Sequence, residues 1–280
     1  MTHLLSVIMP AWNRASVITR ALSSLVEQDI GQVELCLVDD GSTDGTGDVA
    51  KAFLSSFASK VQLRYKKTAH GGVSEARNVG LQMSTGELIA YLDSDNTWRP
   101  NFASTVVKAF SDNREQKTAY SRLLFLDEDE RPSATFFFPF ERKSILYQNF
   151  IDMNVFVHRR ECVERYGVFD TSLARLVDWD LILRYTKDKA PMAVEETLCD
   201  YYVGRPGSGR ISNTENMNRA MHQVISKNLA EIAAFDLHKQ ILSGHPHRHA
   251  TLVQPAWDRY YREILHSLML DHSLPVNQGS

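Results

Sequence analysis

The sequence predicts an α/β protein: a mostly parallel central sheet flanked by helices, with a helical C-terminal extension. Three observations predict it. Short apolar runs alternate with stretches of helical period through the first 112 residues. Four polar clusters each follow such a run directly: Trp12-Asn13-Arg14, Asp39-Asp40, His70-Gly71-Gly72 and Asp93-Ser94-Asp95. The chain of 280 residues, 43% hydrophobic and 23% charged, has ample material for a core without disulfides or metals.

Leu4-Leu5-Ser6-Val7-Ile8-Met9 is a near-continuous apolar run, as expected of a strand buried on both faces, and Pro10 is expected to end it. Over Ala15–Gln28, Val17, Ile18, Ala21, Leu22, Leu25 and Val26 recur at helical spacing, with Ser16 in N-cap position. Val33–Val38 is the second strand, stopped by Asp39-Asp40-Gly41-Ser42, and Thr43–Ser56 the second helix. Val61–Tyr65, Glu75–Met83 and Leu88–Leu92 read as strand, helix and strand, the last ended by Asp93-Ser94-Asp95. Pro100 opens a helix through Phe110, because proline suits a first turn. This alternation specifies right-handed βαβ crossovers, a Rossmann-like arrangement. Ligands in such sheets bind outside the carboxyl ends of the strands, where all four polar clusters converge.

The second half is less regular. Thr118–Leu126, Asn154–His158 and Glu195–Val203 are predicted strands, and Asp178–Tyr185 a helix. The aromatic run Phe136–Phe140 reads as core packing ahead of the wall of a groove. From Glu215 onward Met217, Met221, Val224, Ile225 and Leu229, then Trp257, Tyr260, Tyr261, Ile264, Leu265 and Leu268, form helical stripes.

Composition excludes several classes. With 34 acidic and 31 basic residues the formal charge is −3, so the chain is no bulk-electrostatic nucleic-acid binder. Cys36, Cys162 and Cys199 are odd in number and far apart, which fits neither a zinc site nor a disulfide framework and points to a reducing compartment. No apolar run nears the roughly 18 residues of a membrane span, and no basic n-region precedes the first strand. The expected location is cytoplasmic, with peripheral attachment at the inner face of a membrane as the alternative. Pro10-Ala11-Trp12-Asn13-Arg14 lacks the glycines of a dinucleotide-binding turn, which excludes a nicotinamide oxidoreductase.

Asp93-x-Asp95 can hold a hard divalent cation, Mg²⁺ or Mn²⁺, that keeps positions open for phosphate oxygens. Asp40, after the second strand, can accept hydrogen bonds from a ribose or base. Gly71-Gly72 with Arg77 supplies a flexible loop and a cation. Each cluster alone reads more readily as a turn or a helix cap.

Together they are more specific. Pro10-Ala11-Trp12-Asn13, Val38-Asp39-Asp40-Gly41-Ser42-Thr43-Asp44, Gly71-Gly72-Val73-Ser74-Glu75-Ala76-Arg77-Asn78-Val79-Gly80 and Gly86-Glu87-Leu88-Ile89-Ala90-Tyr91-Leu92-Asp93-Ser94-Asp95 resemble glycosyltransferase family 2 in order and spacing. The resemblance covers about residues 4–112 and continues faintly through Gly167–Asp170 and Val177–Leu181 to about Ser212. It implies a GT-A fold over 1–214, divided into a nucleotide-sugar-binding half, 1–112, and an acceptor-binding half, 113–214. Residues 215–280 would be the helical extension, through which a homo-oligomer or a larger polypeptide could assemble.

The implied activity is metal-dependent, inverting transfer from a nucleotide-diphosphate sugar, a UDP-sugar by preference, to a hydroxyl of a glycan or lipid-linked acceptor. Bacterial surface polysaccharide is the implied setting. By the same resemblance Pro10, Ala11 and Trp12 flank the base, Asp40 binds base or ribose, and Arg77 lies near the nucleotide. Asp93, with Ser94 beside it, contacts ribose or supports the metal; Asp95 ligates the metal; Asp178 is the general base and Asp180 the lesser alternative. Two positions depart from the family pattern. Val177 stands where a glutamate is common, and Arg205 stands near a common histidine. Arg205 and Arg210 are candidate phosphate contacts. The competing reading is a catalytically silent sugar-nucleotide or glycan-binding module of the same fold. His238, His245, His247 and His249 read as a solvated loop ahead of a metal site.

Overall fold

The structure is a computed structural model that describes residues 4–203, 214–236 and 261–268. The chain order is β1 (Leu5–Ala11), α1 (Ile18–Val26), β2 (Val33–Asp39), α2 (Thr46–Leu54), β3 (Val61–Lys67), α3 (Val73–Met83), β4 (Leu88–Tyr91), β5 (Thr97–Trp98), α4 (Phe102–Asp112), β6 (Thr118–Leu126) and β7 (Pro132–Phe136). It continues α5 (Arg142–Tyr147), β8 (Phe156–Arg159), α6 (Glu161–Tyr166), α7 (Val177–Tyr185), β9 (Met192–Tyr202) and α8 (Thr214–Ala234). Residues 261–268 are also helical.

The strands form one mixed sheet in the order β3-β2-β1-β4-β8-β6-β9-β5, with β7 paired to β6. The predicted parallel character holds through β3, β2, β1 and β4. Beyond them β8 runs antiparallel to both β4 and β6, and β6–β9 is parallel again. Alternate residues serve opposite faces. Leu5, Val7 and Met9 of β1 join a core with α1, α2 and α4. Ile8, with Tyr91 and Phe156, joins a second core with α3, α5, α6, α7 and α8. The sheet is therefore covered on both faces, which is why β1, β2 and β4 read as near-continuous apolar runs.

Three local expectations are corrected. Pro10 does not end β1: Pro10 and Ala11 continue in register with Val38 and Asp39, whereas pairing with β4 stops at Ile8–Tyr91. Proline is tolerated where the ladder on one side has ended. Ser16 does not cap α1, because the Arg14 carbonyl accepts the Val17 and Ile18 N–H groups at 3.0 and 2.9 Å. Pro100 precedes α4 rather than opening it, and Asn101 is the N-cap residue. Close packing explains Gly80, where a Cβ would lie 2.5 Å from Ile8 Cγ2 and hold α3 off β1.

The aromatic run packs against the α7–α8 core, with Phe137 stacked on Tyr120 at 5.5 Å. The C-terminal helices are built into the same core. Met221, Val224, Ile225 and Leu229 of α8 are buried there, as are Tyr261, Leu265 and Leu268. Trp257, Tyr260 and the four C-terminal histidines named above lie outside the described residues.

Candidate active site

The parallel strands deliver the first polar clusters to one edge. Trp12, just past β1, is 48% exposed and stacks on His70 with centroids 4.3 Å apart and planes 18° apart. Asp40, just past β2, is buried at 4% exposure. Its two oxygens accept the Gly71 and Gly72 N–H groups at 2.8 and 2.9 Å, and His70 Nδ1 lies 2.9 Å from Oδ2. Asp40 thus staples the end of β2 to the loop that opens α3. Gly41 makes this turn possible: its φ is +76°, and a Cβ there would lie 2.9 Å from His70 N. The result is a flat aromatic pair beside a recessed carboxylate. Pro10 and Ala11 end β1 beside it, and the Ala11 carbonyl accepts the Asp40 N–H at 2.8 Å.

Asp93 and Asp95 follow β4. Arg77, on α3, is buried and donates from Nη2 to Asp93 Oδ1 at 2.9 Å. Burial opposes the Arg77 charge, but Asp93 and then Asp178 more than offset that and keep it protonated. Its guanidinium is turned inward toward these carboxylates. Asn154, just before β8, holds Asp93 from the other side. Its Oδ1 accepts the Asp93 N–H at 2.7 Å, and its Nδ2 donates to Asp93 Oδ2 at 3.2 Å and to Asp152 Oδ1 at 2.8 Å. Burial, then the nearby Asp93, push the Asp152 carboxyl up to about 6. Ser94 is buried and Asp95 partly so. Burial and Asp93 raise the Asp95 pKa, and the Arg14 side chain approaches its Oδ2 only to 4.0 Å. Arg20 donates to the Asp95 carbonyl at 3.0 Å while stacking 3.7 Å over Tyr202.

Asp178 lies in the first turn of α7, which opens from Leu176 at φ +58°. Asn149 Nδ2 donates to Asp178 Oδ2 at 3.1 Å. Burial pushes the Asp178 carboxyl up, and the Arg77 guanidinium opposes that push. Asp180 is different. It is 1% exposed and consumed by Arg184 at 2.9 Å and Lys227 at 2.8 Å, which ties α7 to α8. Val177, the departure from the family pattern, is buried in the core under α7. Arg205 and Arg210 lie outside the described residues.

Among the described residues no three His, Cys, Asp or Glu side chains gather as a metal site. The donor set nonetheless fits Mg²⁺ or Mn²⁺, which take one or two carboxylates and complete their shell with phosphates and water. Asp95 is such a group: a hard oxygen ligand that lacks close compensation by a protein cation. Asp93 lies beside it but already serves Arg77 and Asn154.

Asp152, Asn149, Asn154 and His70 were not singled out by sequence reasoning, although His70 stood in one of the polar clusters. The signal available for Asn154 was a lone amide within Met153-Asn154-Val155-Phe156-Val157.

The chain is similar to known glycosyltransferases in sequence and in fold. A glycosyltransferase of Nostoc and the GlyG glycosyltransferase of Streptococcus pneumoniae are 34% and 31% identical over 106 residues, 38% of this chain. The aligned stretch spans only 32% and 35% of their lengths. A PGL/p-HBAD biosynthesis glycosyltransferase of Mycobacterium tuberculosis is 26% identical over 64% of this chain and 68% of its own. The crystal structure of Staphylococcus aureus TarS 1–349 with UDP-GlcNAc superposes with a TM-score of 0.66 at 19% identity, covering 95% of this chain and 80% of that one. A mannosyltransferase from Pyrobaculum calidifontis with GDP-Man and Mn²⁺ gives 0.62 at 18%, covering 100% and 77%. These structures share the GT-A fold. The sequence model described as glycosyl transferase family 2 matches residues 6–166, more than half of the chain and the span that carries Trp12, Asp40, Asp93 and Asp95; the protein belongs to that family.

Proposed function

We propose that the protein is an inverting transferase that moves a sugar from a nucleotide-diphosphate sugar, a UDP-sugar first, to a hydroxyl of a glycan or lipid-linked acceptor. The observation that carries this is the convergence of Trp12, Asp40, Asp93 and Asp95 beyond the parallel strands, with Asp178 held nearby around the shared cation Arg77. A relative named for PGL/p-HBAD biosynthesis and folds solved with UDP-GlcNAc or GDP-Man support the substrate class.

Trp12, backed by His70, offers a face for the base, and Pro10 and Ala11 flank it. Asp40 accepts a hydrogen bond from base or ribose. Asp93 orients the ribose side, with Ser94 packed beneath. Asp95, with Asp93 beside it, would hold Mg²⁺ or Mn²⁺, whose chemistry is to stabilise the negative charge of the departing diphosphate. Arg77 holds Asp93 in place. Asp178 takes the proton of the acceptor hydroxyl as that oxygen attacks the anomeric carbon opposite the leaving group. The bond to the acceptor oxygen forms as the bond to the diphosphate breaks, so one displacement inverts the centre.

The test is a panel of nucleotide sugars assayed for binding and hydrolysis, with and without Mn²⁺. Binding of one nucleoside diphosphate that both EDTA and Asp95→Ala weaken is expected. Unchanged affinity in both removes the metal role, and no binding anywhere in the panel overturns the reading.

A further inference from the structure

The segment from Asn149 to Asn154, which runs from the end of α5 into the 3₁₀ turn Met153–Val155 before β8, touches both ends of the proposed reaction. Asn149 reaches Asp178 and Asn154 reaches Asp93. The orientation of each amide is fixed by a backbone donor. Ile151 N–H donates to Asn149 Oδ1 at 3.0 Å, and Asp93 N–H donates to Asn154 Oδ1 at 2.7 Å. Each Nδ2 is therefore turned toward a carboxylate, where it can only donate. Asn154 is anchored further: it is 1% exposed, and its carbonyl accepts the Trp98 indole N–H at 2.8 Å. Asp152, in between, accepts the Asn154 N–H at 2.8 Å and closes the turn.

We propose that this segment is the frame that fixes the donor-side Asp93 relative to the acceptor-side Asp178, with Asn154 positioning the first and Asn149 the second. The proposal rests on the transferase reading and assigns two residues that reading does not use. An amide N–H on one oxygen of Asp178 sets the plane of the carboxylate and favours its ionised form, the form that can accept a proton. Asn154 likewise sets the plane of the Asp93 carboxylate, whose task is donor binding. The two amides should therefore fail differently although only five positions apart.

The experiment uses the full chain, calorimetry with the nucleoside diphosphate that wild type binds, and hydrolysis or transfer with the matching sugar donor. Asn149→Ala should keep nucleotide affinity within about twofold while the rate falls roughly 10–100-fold, below the full share of a general base. Asn154→Ala should weaken nucleotide affinity about tenfold, the scale of one hydrogen bond. Asn149→Asp keeps the shape and places a like charge against Asp178. It should move the rising limb of the pH–rate profile upward by about one unit, which a change in stability alone would not do. Equal losses of affinity and rate in both alanine variants, or an unmoved limb in Asn149→Asp, overturn the proposal. If Asn149→Ala runs at wild-type rate while Asp178→Asn does not, the frame is wrong and the transferase reading stands. If both run at wild-type rate, the reading falls and the frame with it.

Discussion

Asp180→Asn should cost stability and leave nucleotide binding intact. The change keeps the volume of a side chain that is 1% exposed and removes its charge. Two ion pairs are lost, to Arg184 at 2.9 Å and to Lys227 at 2.8 Å. Removing one partner of a buried pair costs about 3–5 kcal/mol when the other is left dry. Here the partners are not dry. The Arg184 and Lys227 side chains are 28% and 40% exposed, and Lys227 keeps Asp170 at 2.5 Å. Solvent screening therefore brings the cost down to about 2–3 kcal/mol. At ~2–4 °C per kcal/mol for a domain of this size, the melting temperature should fall by roughly 4–12 °C. Differential scanning calorimetry reads the shift, and Lys227→Met added to Asp180→Asn should cost less than the sum of the two single changes, because both remove the Asp180–Lys227 contact and only the Lys227–Asp170 pair is lost anew. A melting temperature within about 1 °C of wild type would refute the assignment of Asp180 to the α7–α8 joint.

Trp12→Ala should weaken nucleotide binding by about 1–3 kcal/mol, the worth of one stacked base, with little change in melting temperature because the ring is half exposed; equal affinity for wild type and variant in calorimetry would remove Trp12 from the base site. His158 is fully buried, with Nδ1 2.9 Å from the Arg159 carbonyl and Nε2 2.8 Å from Tyr91 Oη, and burial pushes its pKa down to about 4. The unfolded chain, with a histidine near ~6.5, binds that proton first, so this contribution to stability is full above pH ~6.5 and is lost as pH falls toward 4, by at most about 1.4 kcal/mol per pH unit. Urea titrations of wild type and His158→Gln across that window should diverge in slope, and parallel slopes would contradict a neutral buried histidine.

β1, β2 and β4 were legible because a strand covered on both faces is mostly apolar along its length, as Leu4–Met9 and Val33–Val38 are despite Ser6 and Glu34. The direction of β8 was not, because it depends on pairing with β4 and β6 across the chain. Nor was β5, two residues defined only by Cys199 and Asp200 opposite. The site followed the same division. Asp40, Asp93, Asp95 and Asp178 stand at fixed offsets from elements that read clearly. Arg77 was legible as a cation but not in its direction, which the fold sets by burying it between carboxylates. Asn149 and Asn154 act on residues 29 and 61 positions away and left only the trace of amides in an apolar context.

Asp178 is the residue on which the proposed transfer turns. Asp178→Asn keeps the shape of the side chain and removes its basicity. Sugar transfer, measured on the donor that wild type uses, should fall by roughly 10²–10⁴-fold, with nucleotide affinity held within about threefold. Transfer at near wild-type rate by Asp178→Asn, in a protein that still binds its nucleotide, would contradict the assignment of the base and with it the mechanism.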